Sequence, residues 1–182
     1  MKANSIVIAL VLTALGNVEA CIAQTTQAAS TTSTNQLPNP DKQFVQAASM
    51  SSSTEIDAAK MAEAQSEDKD VKSFARHMAI DHTKLTAELK MAAPHGVTVP
   101  KDNSDTTVLA SLKPLRGKEF DTAYIQQVGL AGHKKAVEVF QTEASSGQNA
   151  ELKKAAQKAL PTIKKHLEMA QDLATKKGVT AP

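Results

Sequence analysis

Three of the five histidines in the 182-residue chain lie in line with hydrophobic residues at helical spacing. His82 follows Met78 by four residues in RHMAIDHTKL, His133 lies in GLAGHKKAVEVF, and His166 lies in LPTIKKHLEMA. Glu55 occupies the same kind of position on an earlier apolar face. Imidazole nitrogens and carboxylate oxygens are ligands that Zn²⁺, Fe and Cu take in proteins. Brought together, these four side chains would bind one divalent transition-metal ion.

The elements that must position these residues are four amphipathic helices. Small and apolar residues recur at three- and four-residue steps over four segments, about 41–65, 66–93, 118–145 and 149–177. Ser66 is a suitable N-cap for the second helix, and Pro161 predicts a kink in the fourth. The segments form two hairpins joined by a Pro- and Gly-rich connection, residues 94–117. We therefore predict an all-α, ferritin-like four-helix bundle. The connection could cross the bundle or decorate one end.

Hairpin geometry predicts that the four candidate ligands lie in one layer. Residues equidistant from the turn of a helical hairpin lie opposite one another. The midpoint between Glu55 and His82 falls beside the first predicted turn, and the midpoint between His133 and His166 falls beside the second. Both pairs are therefore level, near the middle of their helices.

The spacing does not fit a diiron centre of the ferritin type. Such a centre needs a Glu-x-x-His motif on each of two helices. The residues three positions before the candidate histidines are Ala79, Leu130 and Ile163. A single mononuclear site is the prediction that remains.

Two further residues have possible parts around such a site, and the two remaining histidines do not. Asp81 and Asp121 are candidates to accept hydrogen bonds from metal-bound imidazoles. His77 falls about 100° around the helix from the apolar face, and His95 lies in the connection, so both are assigned to the surface. The alternative for the buried set is a metal-free polar layer in which Glu55 pairs with a histidine and fixes the packing.

Composition limits the other function classes. The net charge is +2, and no Lys/Arg cluster interleaved with aromatic residues points to nucleic acid as a partner. The sequence has no nucleophile motif, phosphate-binding glycine loop or acid pair at an evident cleft, so it favours no enzyme class and no organic cofactor. It identifies no protein partner.

The N-terminus predicts export. Lys2 precedes an apolar run too short for a permanent anchor, so residues 1–20 are read as a signal peptide. Cys21, the only cysteine, follows Val-Glu-Ala in an arrangement that resembles a bacterial lipoprotein box. Either Cys21 is acylated and tethers the protein to the outer membrane, or the protein is simply secreted into the periplasm. Residues 21–40 are rich in Thr, Ser and Gln and predict a disordered tether, with the folded domain over residues 41–182.

The chain also resembles a bacterial family of unknown function. VKSFARHMAIDHTKL, FDTAY, GLAGHKKAVEVF and LPTIKKHLEMA, behind an exported leader, are similar to the family called domain of unknown function 4142, often labelled predicted outer membrane protein. The similarity spans about residues 41–174 and implies a ferritin-like four-helix fold, without an established activity. The family's recurrent positions match Phe44, Glu55, Asp81, His82, Phe120, Asp121, Tyr124, His133, Pro161 and His166.

Two functional hypotheses follow. The first is an exported ferritin-like protein of the cell envelope that binds a metal and serves metal handling or stress tolerance. The second is a metal-free helical interaction module whose buried histidines serve packing.

Overall fold

The described part of the protein is a bundle of four long helical segments. A computed structural model describes residues 37–180; the signal peptide, Cys21 and most of the predicted tether lie outside the described residues. The residues described contain no β-strand. The all-α, ferritin-like bundle predicted from the sequence is confirmed. Its elements are α1 (Asn39–Gln65), α2 (Lys69–Ala92), α3 (Thr106–Leu112), α4 (Gly117–Tyr124), a π-helical segment (Ile125–Gly132), α5 (His133–Ser146) and α6 (Ala150–Lys177).

The helix ends differ from the sequence prediction in two places. The α2 cap is Asp68, whose carboxylate accepts hydrogen bonds from the next helical N–H groups, whereas Ser66 ends α1. The negative charge of the Asp68 carboxylate also interacts favourably with the positive N-terminal end of the α2 dipole. The uncharged hydroxyl of a serine does this less well. At the other end of the bundle α1 begins at Asn39, and Leu37 is buried. The first helix therefore starts two residues before the predicted Asp41, and Pro38 and Pro40 are compatible with a helix start there.

The connection between α2 and α4 crosses the bundle from end to end. Ser49 donates a hydrogen bond to the carbonyl of Pro100 (2.8 Å), and further along α1 the side chain of Gln65 donates to the carbonyls of Leu112 (3.0 Å) and Leu115 (2.7 Å). As the connection proceeds, its contacts with α1 move from the first half of that helix to its C-terminal end. This settles the path that the sequence left open, and it makes α2 run in the same direction as α4 and α5.

The third long segment of the bundle is not one regular α-helix. The sequence predicted a continuous helix over 118–145, whereas the structure places a π-helical segment between α4 and α5. A wide turn of this kind inserts residues without breaking the helix, so the apolar periodicity barely changes. In the fourth segment Pro161 lies inside α6, which continues from Ala150 to Lys177.

The apolar core is divided into two clusters with a polar layer between them. The upper cluster, on the side of the α1–α2 turn, contains Ala58, Ala62, Phe74, Met78, Phe120, Tyr124 and Leu173. The lower cluster, on the side of the α5–α6 turn, contains Phe44, Val45, Leu85, Phe140, Leu152 and Ile163. The positions between them on the long helices are buried polar residues, namely Ser52, Glu55, His82, His133 and His166. Buried polar residues between two apolar clusters make this layer the candidate functional site.

A pair of buried carboxyl groups ties α1 to the α5–α6 turn. Asp41 is fully buried, and its two oxygens accept hydrogen bonds from the backbone N–H groups of Gln148 (2.9 Å) and Asn149 (2.9 Å). Glu143 lies beside it. Burial, followed by the repulsion of Asp41, raises the pKa of Glu143 to about 7. Glu143 is therefore neutral in mildly acidic solution and becomes charged near neutral pH.

This pair predicts a loss of stability as the pH rises. The pKa of Glu143 is higher in the folded than in the unfolded chain, so its contribution is present below about 4.5 and is lost as the pH rises through about 7. We expect Glu143→Gln to gain unfolding free energy relative to the parent as the pH goes from 5 to 8. Chemical denaturation at several pH values measures this, with the exposed Glu138→Gln as the matched control. A constant difference between Glu143→Gln and the parent across that range would contradict the prediction.

Candidate metal centre

Three histidines from three different helical elements meet in the polar layer. His82 comes from α2, His133 is the first residue of α5, and His166 comes from α6. Their exposed fractions are 2%, 0% and 1%. The ring centres lie 5.4–5.7 Å apart, and one ring nitrogen of each lies within 4.8 Å of a ring nitrogen of the other two. We call these three residues the histidine triad.

The π-helical segment holds the ring of His133. Its Nδ1 donates to the carbonyl oxygens of Gly129 (3.0 Å) and Val128 (3.2 Å). A π-helical turn departs from the regular hydrogen-bond pattern of an α-helix and is frequent at functional sites. Here two carbonyl groups of the segment accept hydrogen bonds from the side chain of His133. Because these carbonyls only accept, the proton of a neutral His133 lies on Nδ1, and Nε2 carries a free lone pair.

The other two rings are held in the same way by one nitrogen each. His166 Nε2 lies 2.8 Å from Oδ2 of Asp81, to which it donates. His82 Nδ1 lies 3.2 Å from the hydroxyl oxygen of Ser52. A carboxylate or hydroxyl partner of this kind fixes the orientation of a ligating imidazole.

The second nitrogen of every ring is buried and has no hydrogen-bond partner among the described residues. These atoms are His82 Nε2, His133 Nε2 and His166 Nδ1. A buried polar atom without a partner costs about 1–3 kcal/mol, so three in one layer need an explanation. A bound cation would supply one, since a Zn–N distance of about 2.0–2.1 Å with tetrahedral angles places imidazole ring centres roughly 5.2 Å apart. The observed triangle is only slightly wider.

Burial keeps the triad neutral. Desolvation, and then the neighbouring His166, lowers the pKa of His133 to about 4. Desolvation and the other two rings lower the pKa of His82 well below its usual range, and desolvation also lowers that of His166, against the opposing effect of Asp81. Neutral imidazole is the form that binds metals, so the triad does not have to lose protons at physiological pH.

Glu55 lies beside the triad but outside its triangle. Its Oε1 is 3.4 Å from Nδ1 of His133, the nitrogen that is bonded to the backbone, and its Oε2 has no hydrogen-bond partner among the described residues. Burial raises the pKa of Glu55 well above its usual range, so burial opposes ionisation of the carboxyl group. Glu55 and Gly132 also line an apolar cavity of about 150 Å³ between α1 and α5. None of the triad histidines lines that cavity.

The structure separates the two aspartates predicted to support the site. Asp81 contacts a triad ring, although that ring is His166 of α6 and not its sequence neighbour His82. Asp121 lies on α4 near Ser66, where burial raises its pKa. At 1.5 Å per residue it is about 18 Å from His133 along the helix, so the structure does not bring it to the triad.

Sequence reasoning missed three groups around the triad. Ser52 lies three residues before Glu55 on the same helix face, and that spacing could have identified it. Tyr124 is fully buried with an unpartnered hydroxyl, and burial together with Glu55 raises its pKa well above its usual range. The carbonyls of the π-helical segment carry no side-chain signal. His77, assigned to the surface, is indeed exposed, and its Nε2 lies 3.3 Å from Oδ2 of Asp81.

Fold and site together define a ferritin-like helical protein with a buried cluster of three histidines. The chain belongs to the family described as Domain of unknown function (DUF4142), whose model matches residues 26–173, so the resemblance seen in the sequence is confirmed. A solved structure of a DUF305 protein from Streptomyces coelicolor is similar, with a TM-score of 0.64 and 15% identity over 79% of this chain and 95% of that chain. The likeness supports the fold. A search of curated proteins finds no match.

A helix that crosses a membrane must be both long and predominantly apolar. None of the helices in residues 37–180 is both long and apolar enough to do so.

The lowered pKa of His133 predicts the direction of acid destabilisation in the metal-free protein. Unfolded histidine takes up a proton near pH 6.5, whereas folded His133 does so only near pH 4, so stability is lost as the pH falls across that interval. Across that interval, we expect the unfolding free energy of His133→Gln to fall by about 2–3 kcal/mol less than that of the parent. Denaturation curves in the presence of a chelator measure this. The exposed His95→Gln should keep the parent's slope, and a parent-like slope in His133→Gln would refute the prediction.

Proposed function

We propose that this protein binds one divalent transition-metal ion, Zn²⁺ in the first place, through His82 Nε2, His133 Nε2 and His166 Nδ1. The observation that carries the proposal is that each imidazole is held by one nitrogen and presents the other, buried and unpartnered, toward the same layer. Three nitrogen ligands suit Zn²⁺, and Cu²⁺ would compete by its higher intrinsic affinity.

Three protein ligands leave one coordination position for water or another small ligand. We place Glu55 next to the ligand His133 and not at the metal, because its nearer oxygen faces the nitrogen that is bonded to the backbone. The raised pKa of Glu55 disfavours a buried negative charge in the metal-free protein. Metal binding changes that balance, since a buried dication favours ionisation of nearby acids and of bound water.

Metal handling in the cell envelope is the role that these features favour. The triad lies between two apolar clusters, and the cavity at Glu55 does not include its histidines, so nothing in the described residues offers a substrate a wide approach. Export is supported by the leader in residues 1–20, and the structurally similar DUF305 protein is described as secreted. A store, buffer or carrier of metal fits this arrangement better than an enzyme does.

Elemental analysis tests the metal site directly. The exported protein, isolated without an affinity tag, is expected to contain about one equivalent of metal after incubation with Zn²⁺ and desalting. His82→Ala and His133→Ala should lose it, and the exposed His95→Ala should retain it. Circular dichroism of each variant checks that the bundle has folded.

Thermal unfolding gives a second reading of the same site. A ligand at 1,000 times its dissociation constant stabilises the native state by about 4 kcal/mol, so a chelator should lower the Tm by about 10 °C. Absence of metal in the parent after reconstitution, with a Tm indifferent to chelator, would reject the proposal. The metal-free interaction module would then be the better account.

A separate experiment addresses attachment through Cys21, which lies outside the described residues. If Cys21 is acylated, cells grown with labelled palmitate will incorporate label into the parent and not into Cys21→Ala, and the parent will fractionate with membranes. If the protein is secreted into the periplasm, both forms will be unlabelled and will be released together by osmotic shock. Label in both forms would contradict acylation at Cys21.

A further inference from the structure

Through His166 the triad is linked to polar side chains at the protein surface. His166 uses both ring nitrogens in different directions, because Nδ1 is buried and unpartnered while Nε2 donates to Asp81. The side chain of Asp81 is 27% exposed. On its other side lies His77, whose side chain is 48% exposed. A polar path from solvent to the triad therefore runs through His77, Asp81 and His166.

These three residues have the geometry of a second ligand set. Nε2 of His77 is 3.3 Å and Nε2 of His166 is 2.8 Å from the same oxygen of Asp81. The rings of His77 and His166 have their centres 5.9 Å apart, and one ligand atom of each of the three residues lies within 4.8 Å of the others. Ligands of a tetrahedral ion stand roughly 3.4 Å apart, so small side-chain shifts would accommodate one.

We propose that His77 and Asp81 form an outer site that captures the metal ion and passes it to the triad through His166. The inference rests on the proposed function of the triad and adds the route by which the ion enters. A hydrated cation cannot cross the apolar clusters above and below the triad without losing its shell. A carboxylate and an imidazole at the surface can replace part of that shell before the ion is buried.

The tautomer of His166 accounts for the protons in this transfer. While Nε2 donates to Asp81, its proton keeps the ring from binding an outer ion, so the captured ion is first held by His77, Asp81 and water. When the ring binds that ion through Nε2, the Nε2 proton is released to solvent and Nδ1 takes up a proton from solvent, so the ring stays a neutral imidazole. When the ion moves to Nδ1, the Nδ1 proton is released and Nε2 takes one up, so the hydrogen bond to Asp81 is restored and no net proton is lost.

The two sites also differ in what they offer the ion. The outer site provides a partly exposed carboxylate and an exposed imidazole, which water can replace. The triad provides three buried nitrogens for which the described residues offer no other partner. Occupation of the inner site should therefore prevail at equilibrium, while the outer site governs the rate of loading.

Rapid mixing with Co²⁺ separates rate from affinity. The metal-free exported protein is mixed with less than one equivalent of Co²⁺, and the visible absorption of the bound ion is followed with time. We expect His77→Ala to slow uptake by at least about tenfold, because an acidic or ligating cleft raises cation on-rates by such factors. Its equilibrium affinity for Co²⁺, measured against a competing chelator, should equal that of the parent.

Two further variants sharpen the test. His95→Ala, which removes another exposed histidine, should load as fast as the parent. Asp81→Ala should load slowly and also lose about 10–100-fold in affinity, because Asp81 additionally orients His166. In His133→Ala, weak Co²⁺ binding that disappears on adding His77→Ala would show the outer site by itself.

Each result bears on the inference. Equal uptake rates in the parent and His77→Ala would overturn it and leave Asp81 as a support for His166 alone. Loss of equilibrium affinity in His77→Ala would also overturn it, since His77 would then be a ligand of the final site. Failure of the parent to bind Co²⁺ or Zn²⁺ at all would instead reject the triad as a metal site, and the outer route with it.

Discussion

The structure depends on holding three imidazole nitrogens in a buried layer where residues 37–180 give them no hydrogen-bond partner. Each ring is held in its orientation by partners of its other nitrogen. Those partners are the hydroxyl of Ser52, the carbonyls of Gly129 and Val128, and the carboxylate of Asp81. The partners come from α1, the π-helical segment and α2, so the bundle must be assembled before the triad is oriented. The site is therefore a property of the tertiary fold.

Much of this arrangement follows from sequence pattern. Helical periodicity locates the four long segments, and the symmetry of the two hairpin turns places the histidines at one level. The partner of His166 could not be read in the same way, because it depends on α2 packing against α6. That neighbourhood is set by the connection, which runs along α1, and the sequence left its path open. Glu55 shows a second limit of sequence prediction. The height of a residue along the bundle does not determine which side of the His133 ring its carboxyl group contacts.

Titratable groups pull the stability of the protein in opposite directions. Glu143, at the α5–α6 end, favours the folded state in acid because its carboxyl group is buried beside Asp41. The triad favours the folded state in neutral solution because its rings resist protonation. The two effects act at different heights of the same bundle. Acidification thus stabilises the α5–α6 end while it weakens the middle layer.

The π-helical segment has a consequence for how the third long segment can change. In an α-helix each residue advances by about 100°, so inserting one residue rotates everything beyond it away from its neighbours. A wide turn absorbs such an insertion, so the residues beyond it keep their phase. The face that carries Phe120 and Tyr124 can therefore suit the upper cluster while the face that begins at His133 suits the triad and the lower cluster. The two halves thus tolerate a change of one residue within 125–132, because a deletion there would close the wide turn into a regular α-helix without rotating either face.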